Sequence, residues 1–216
     1  MVGKLCLKNS KERFGKKYNS GLRAKLTNND FTLIASNCNG CCICHDLGVR
    51  FNSPFVNLFI KSKDFLKYIN NMDYYNNLDM LFVEEPGYSF PIGRLSDIRL
   101  YFVHYKNAEE AKRKWYERLQ RMNMDNVFFL FSDRDGCTYD DLKAFDALPY
   151  RNKAVFCHKE YPEIKSAVYI RGFENKDCIG NCAKYRSKFS IKKYYDDFDF
   201  ISWFNGNTNI KELYRH

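Results

Sequence analysis

The chain has 216 residues, with 35 Lys and Arg against 26 Asp and Glu, a formal charge of +9, and 45% hydrophobic residues. That apolar share excludes a disordered, collagen-like or low-complexity chain, because it can build a packed core. No apolar run approaches the roughly 18 to 20 residues that cross a bilayer, and the N-terminus lacks the apolar block and small-residue end of a secretory signal.

The length predicts a basic N-terminal segment, 1–28, followed by one α/β domain, 29–216. Lys4, Lys8, Lys11, Arg13, Lys16, Lys17, Arg23 and Lys25 are offset before residue 26 only by Glu12, so this arm carries +7 and the rest about +2. A nearly neutral body argues against a nucleic-acid groove. The interspersed Leu5, Leu7, Phe14, Tyr18, Leu22 and Leu26 suit a helix packed by one side on the body. The rival reading lays the arm on an anionic membrane surface. The expected location is therefore the cytoplasm, with peripheral attachment at the inner face of the membrane as an extension.

From residue 31 the pattern becomes regular. Residues 31–35 read as a buried strand and 41–47 as a short helix closed by Gly48. A strand is expected at 55–60, then a helix over 63–76 capped by Ser62, then a strand at 80–83. Residues 89–94 and 98–105 read as an antiparallel pair inside or beside the sheet. Residues 108–122 form a charged helix with a narrow seam of Trp115, Leu119 and Met122. A continuous apolar strand at 127–131 leads to a helix over 139–147, with Thr138 and Asp141 spaced as a capping box. Strands are expected at 154–157 and 167–170, and a last helix over 194–204. Strands alternating with helices predict an α/β fold, a Rossmann-like three-layer sandwich with a mixed, mostly parallel sheet and an antiparallel hairpin.

Nine cysteines, an odd number, predict reduced thiols rather than a complete disulfide framework. Cys38, Cys41, Cys42 and Cys44 with His45 form a dense cluster, but the pair Cys178 and Cys182 is about 130 residues away, and finger or ribbon spacing is missing. Zinc is therefore not expected.

Ligands of open α/β sheets bind outside the carboxyl ends of the strands. Ser36 and Asn37 follow the first strand, His104 ends the hairpin, Ser132, Asp133, Arg134 and Asp135 follow the central strand, and His158 follows the next. Asp133 and Asp135, one residue apart, can both face Mg²⁺ or Mn²⁺, or they can shape the turn and accept backbone N–H groups. Arg134 is then free for a phosphate. The stretch Ser36, Asn37, Cys38, Asn39, Gly40 joins a strand to a helix N-terminus, which favours an anion. It lacks the glycines of a dinucleotide fingerprint and the lysine of a Walker loop.

Taken together, these stretches resemble the DUF1919 family. The run at 32–40, Thr-Leu-Ile-Ala-Ser-Asn-Cys-Asn-Gly, carries the resemblance with Leu47-Gly48, Phe-Asn-Ser-Pro at 51–54 and Val-Asn-Leu-Phe at 56–59. It continues in Ile-Gly-Arg-Leu at 92–95 with Asp97, Phe-Val-His-Tyr at 102–105, the stretch 111–115, Phe-Ser-Asp-Arg-Asp-Gly-Cys-Thr at 131–138 and Phe-Asp-Ala-Leu-Pro at 145–149. The similarity covers about residues 30–171. Asn39 and Cys41 stand near positions where family members carry an aromatic and a further Gly. The family is commonly labelled exopolysaccharide biosynthesis protein, so the resemblance implies an α/β fold and a bacterial protein of surface-polysaccharide assembly.

The leading expectation is a glycosyltransferase-like enzyme acting on a nucleotide- or lipid-phosphate-activated sugar or glycan. His104, Asp133 and Asp135 are its expected catalytic residues, with Asp133 and Asp135 as the metal ligands. Ser36, Asn37, Asn39, Gly40, Ser132, Arg134 and His158 are the expected substrate-binding residues. One alternative is acyl or phosphoryl transfer to a glycan with His104 as base. The other is a carbohydrate-binding or assembly module without catalysis.

Overall fold

The computed structural model describes residues 2–214, with side chains from Arg13 onward. Helix α1 (Val2–Arg23) leads to β1 (Thr32–Ala35), α2 (Asn39–Leu47), β2 (Phe59–Ile60), α3 (Ser62–Asn70) and α4 (Met72–Asn76). Then come β3 (Leu81–Val83), β4 (Ile92–Leu95), β5 (Ile98–Tyr101), α5 (Ala108–Leu119), β6 (Val127–Ser132) and α6 (Tyr139–Asp146). Strands β7 (Lys153–Cys157) and β8 (Ala167–Tyr169) precede α7 (Phe200–Phe204).

Four strands form a parallel sheet in the order β1-β6-β7-β8. Side chains alternate across it, as the twofold period of a strand requires. Leu33, Ala35, Phe128, Leu130, Ala154 and Phe156 enter one core, which α2, the end of α1 and the C-terminal segment cover. Ile34, Phe129, Phe131, Val155 and Cys157 enter the other, under α3, α5 and α6. Both faces are thus covered, and the α/β three-layer reading stands. Phe31 stacks on Phe204 at 4.3 Å between ring centroids on the first face, and Phe65 on Phe131 at 5.3 Å on the second. Burying one such ring contributes about 1.5–3 kcal/mol.

The antiparallel strands lie beside the parallel sheet and make a four-stranded sheet of their own, β2-β5-β4-β3. The two sheets touch where the Ile60 N–H donates to the Ser36 carbonyl at 3.0 Å.

Several elements are shorter than their apolar patterns suggest, each for a local reason. The expected strand at 55–60 keeps only its last two residues, because Asn57 sits in the left-handed region at φ 59° and turns the chain. The expected helix over 63–76 breaks into α3 and α4 at Asn71, which leaves helical geometry at φ −140°, ψ 44°. Lys61 rather than Ser62 is the N-cap of α3. At the C-terminus a 3-10 turn, Tyr194–Asp197, and α7 replace one helix, since Phe198 is extended and Asp199 caps α7 by accepting from the Ser202 N–H. The capping box of Thr138 and Asp141 is present in both directions, at 3.2 and 2.9 Å.

In the N-terminal arm, Leu22 and Leu26 are buried beside α2, and the Arg23 Nη1 donates to the Leu47 carbonyl at 2.6 Å. Phe14 is 58% exposed. The side chains of Lys4, Leu5, Leu7, Lys8 and Lys11 fall outside the described residues. Among the described residues, no helix is long and apolar enough to cross a membrane.

Candidate functional site

The carboxyl ends of β1 and β6 lie side by side in the parallel sheet, and open α/β sheets hold their ligands outside such ends. Asn37 leaves β1 there, and its Nδ2 donates to Ser132 Oγ at 2.7 Å, while Ser36 Oγ and Ser132 Oγ are 3.4 Å apart. Asn37 Oδ1 accepts from the Asn39 N–H at 3.1 Å, which fixes the first turn of α2. The three buried groups therefore lock the strand ends to each other. Asn39 is also buried, and its Nδ2 has no partner among the described residues. Gly40 packs: a Cβ there would lie 2.4 Å from the Ala35 Cβ, so its small size lets α2 sit on β1.

The two aspartates at the end of β6 divide their roles. Asp133 is 6% exposed, and both its oxygens face donors. Its Oδ2 accepts from the His158 N–H at 2.8 Å and meets His158 Nδ1 at 2.5 Å, and its Oδ1 accepts from the Ile179 N–H at 2.7 Å. It thus anchors β7 and the loop at 178–182 to β6. His158 is buried beside it, and Nε2 is the ring nitrogen that no described residue engages. Asp135 is held at φ 60° by Ser62, whose N–H donates to the Asp135 carbonyl at 3.2 Å and whose hydroxyl donates to the Arg134 carbonyl at 3.0 Å. Burial pushes the Asp135 carboxyl above its ordinary range, opposed by the Arg134 charge and a hydrogen bond to Asn37. Arg134 Nε lies 3.3 Å from Asp135 Oδ2, and Asp135 is the guanidinium's one ion-pair partner among the described residues.

Asp133 and Asp135, the expected metal ligands, face different partners, Asp133 the His158 and Ile179 donors and Asp135 the Arg134 guanidinium. Asp133 has given both oxygens to N–H donors, and among the described residues no three His, Cys, Asp or Glu side chains stand together as a metal-holding group. No step below runs through a metal ion.

His104 is exposed on a neighbouring loop. Its backbone N–H donates to the Asn57 carbonyl at 3.4 Å, and its ring makes no hydrogen bond among the described residues. The same Asn57 accepts from Cys41 Sγ through Oδ1 at 3.5 Å, so this loop borders the first turn of α2. The expected residues thus sort into a group of Ser36, Asn37, Asn39, Ser132, Arg134 and Asp135, an inner pair of Asp133 and His158, and His104 at the margin. Sequence reasoning missed Ser62 as the support of the aspartate turn. It also missed Asn57, whose signal was an asparagine interrupting an apolar run. The Ile179 backbone contact has no sequence signal at all.

A cavity of about 430 Å³ opens beside β8 between Tyr161, Ile164, Tyr169 and Tyr214, and one of about 820 Å³ lies at the loop before β4.

Comparison with known proteins agrees with the motifs. The family model described as "Domain of unknown function (DUF1919)" matches residues 9–205. A protein of Haemophilus influenzae (strain KW20 / Rd), named "Uncharacterized protein", is 46% identical over 197 residues, covering 91% of this chain and 94% of its own length. The match spans both sheets and the carboxyl ends of β1 and β6, and on it this chain belongs to the DUF1919 family.

Proposed function

We propose that the carboxyl ends of β1, β6 and β7 bind the phosphate of a nucleotide- or lipid-phosphate-activated sugar and transfer its glycosyl group during surface-polysaccharide assembly. The observation that carries this reading is Arg134, a half-buried guanidinium with one carboxylate partner among the described residues, standing at the carboxyl end of β6 beside the start of α2. The first N–H groups of a helix have no partner within it and present partial positive charge to an anion. Breaking the sugar–phosphate bond builds negative charge on the leaving oxygen. A fixed cation and fixed N–H groups stabilise that charge without reorganising.

His158 rather than His104 is the base in this reading. With Nδ1 given to Asp133, the pair fixes the ring's orientation and leaves Nε2 to take the proton of an acceptor hydroxyl. Asp133 is then a positioning residue. The sugar itself comes from the label the family commonly carries. The basic arm, with Lys16, Lys17 and Phe14 exposed, adds a cytoplasmic membrane face rich in anionic lipid to the proposal.

The test is turnover of a panel of activated sugars with glycan acceptors, run with and without Mg²⁺ or Mn²⁺. Transfer by the wild type, lost by at least about a hundredfold in His158→Gln, supports the reading, as general-base removal typically costs that much. Glycan binding without turnover would make the protein a binding module instead. Acyl or phosphoryl transfer to the glycan would replace glycosyl transfer.

A further inference from the structure

The first turn of α2 carries two thiols that the proposed function does not use. Cys38 is the N-cap residue and half-buried, and Cys41, three residues on, is buried. Cys41 Sγ donates to the Cys38 carbonyl at 3.1 Å, which brings its side chain back toward the cap. Cys38 Sγ donates to the Leu58 carbonyl at 3.6 Å, and Cys41 beside it holds the Cys38 thiol below its ordinary range against the effect of burial. The Arg134 charge acts in the same direction, and Cys41 itself is pushed up to about 11. One thiol is therefore the readier nucleophile and its neighbour the proton holder, as an attacking and a resolving cysteine require.

We propose that Cys38 and Cys41 are a reversible dithiol–disulfide pair that reacts with small-molecule disulfides. The Cys38 thiolate attacks one sulfur of the reagent, and a thiolate leaves. Cys41 then releases its proton to solvent and attacks the Cys38 sulfur of the mixed disulfide, expelling the second thiolate. The balance is one reagent disulfide and two protein thiols giving one protein disulfide and two small thiols, with two electrons passing to the reagent.

Geometry selects this pair over the other cysteines. Residues three apart in a helical turn have Cα atoms about 5 Å apart, inside the roughly 4.4–6.8 Å that disulfides span. Cys41 and Cys42 also touch, but adjacent Cα atoms are held at about 3.8 Å by a trans peptide, below that span. Cys44, Cys157 and Cys182 are buried in the cores.

The experiment treats the full chain with oxidised glutathione at neutral pH, then alkylates free thiols and maps the bonds by peptide fragmentation. The expected result is loss of two thiols per chain, a bond between residues 38 and 41, and full recovery with dithiothreitol. Cys41→Ser should then trap glutathione on Cys38, and alkylation of Cys38 should proceed at lower pH in the wild type than in that variant. Glutathione persisting on wild-type Cys38, a bond mapped to Cys41–Cys42 or Cys178–Cys182, or unreacted thiols throughout would overturn the proposal. The wild-type map alone decides it, whatever the variant's folding.

Discussion

Asp133 shows how one side chain can look catalytic in sequence and be committed in the fold. Three N–H donors converge on its carboxylate, two from His158 and one from Ile179. Asp133→Ala leaves those donors facing a void, and a cost on the order of 3–5 kcal/mol is expected from losing one partner of a buried charged network. Urea unfolding measures it, and a loss below about 1 kcal/mol would mean the carboxylate is not the anchor described. Asp135 behaves in the opposite way. Burial raises its pKa, so the fold favours the protonated carboxyl. Its contribution to stability is present below the ordinary carboxylate range and is lost as pH rises through the raised value. Asp135→Asn, which suits the left-handed backbone, should therefore raise the melting temperature at neutral pH, with the gain shrinking as pH falls toward about 4. Melting curves across that interval check the sign. A destabilised variant at pH 7 would show that the Arg134 ion pair outweighs the cost of burial. Gly40→Ala tests packing alone: the new methyl would meet Ala35 at 2.4 Å, and a loss of about 1–3 kcal/mol is expected from displacing α2.

At the scale of elements, the helix that follows the aspartate turn offers a clean measurement. Thr138 and Asp141 bond each other's backbones at the start of α6. Thr138→Ala should cost about 1 kcal/mol by denaturant unfolding. This box was legible in the sequence, as were the Gly48 stop of α2 and the parallel strands, because each depends on residues within one turn or on simple periodicity. Elements that failed did so where a single residue overrode the pattern. Asn57 ended a strand by adopting positive φ, Asn71 split a helix, and Asp199 started α7 within a stretch whose aromatics suggested continuity. Ser62 was misread for a similar reason. Its position fits a cap, but its hydroxyl serves the turn at Arg134, 72 residues away.

For the whole molecule, the sheet boundary and the site depend on long-range pairings that no local pattern encodes. Apolar alternation predicts strands at 89–94 and 98–105, found shorter at 92–95 and 98–101, yet only the order β2-β5-β4-β3 shows that they form a sheet of their own. Likewise, the residues at positions 36–40 and 132–135 could be placed at strand ends from sequence. That Asn37 would bond Ser132 while Asp133 turned to Ile179 required the tertiary structure. The concentration of charge in the first 26 residues is a property of the chain as a whole and makes a separate prediction. Full-length protein should float with anionic liposomes at low salt, and replacing exposed Lys16 and Lys17 by Glu should weaken this without altering the melting temperature. Equal flotation of the charge-reversed protein would remove the membrane from the proposal. The proposed phosphate binding at the carboxyl ends of β1 and β6 is tested most directly by calorimetric titration of nucleotide-sugars into the wild type and Arg134→Ala. Losing one charge-assisted contact should weaken binding by about tenfold or more. Equal affinity in the two proteins, or no binding by the wild type across the panel, would contradict the assignment of this site.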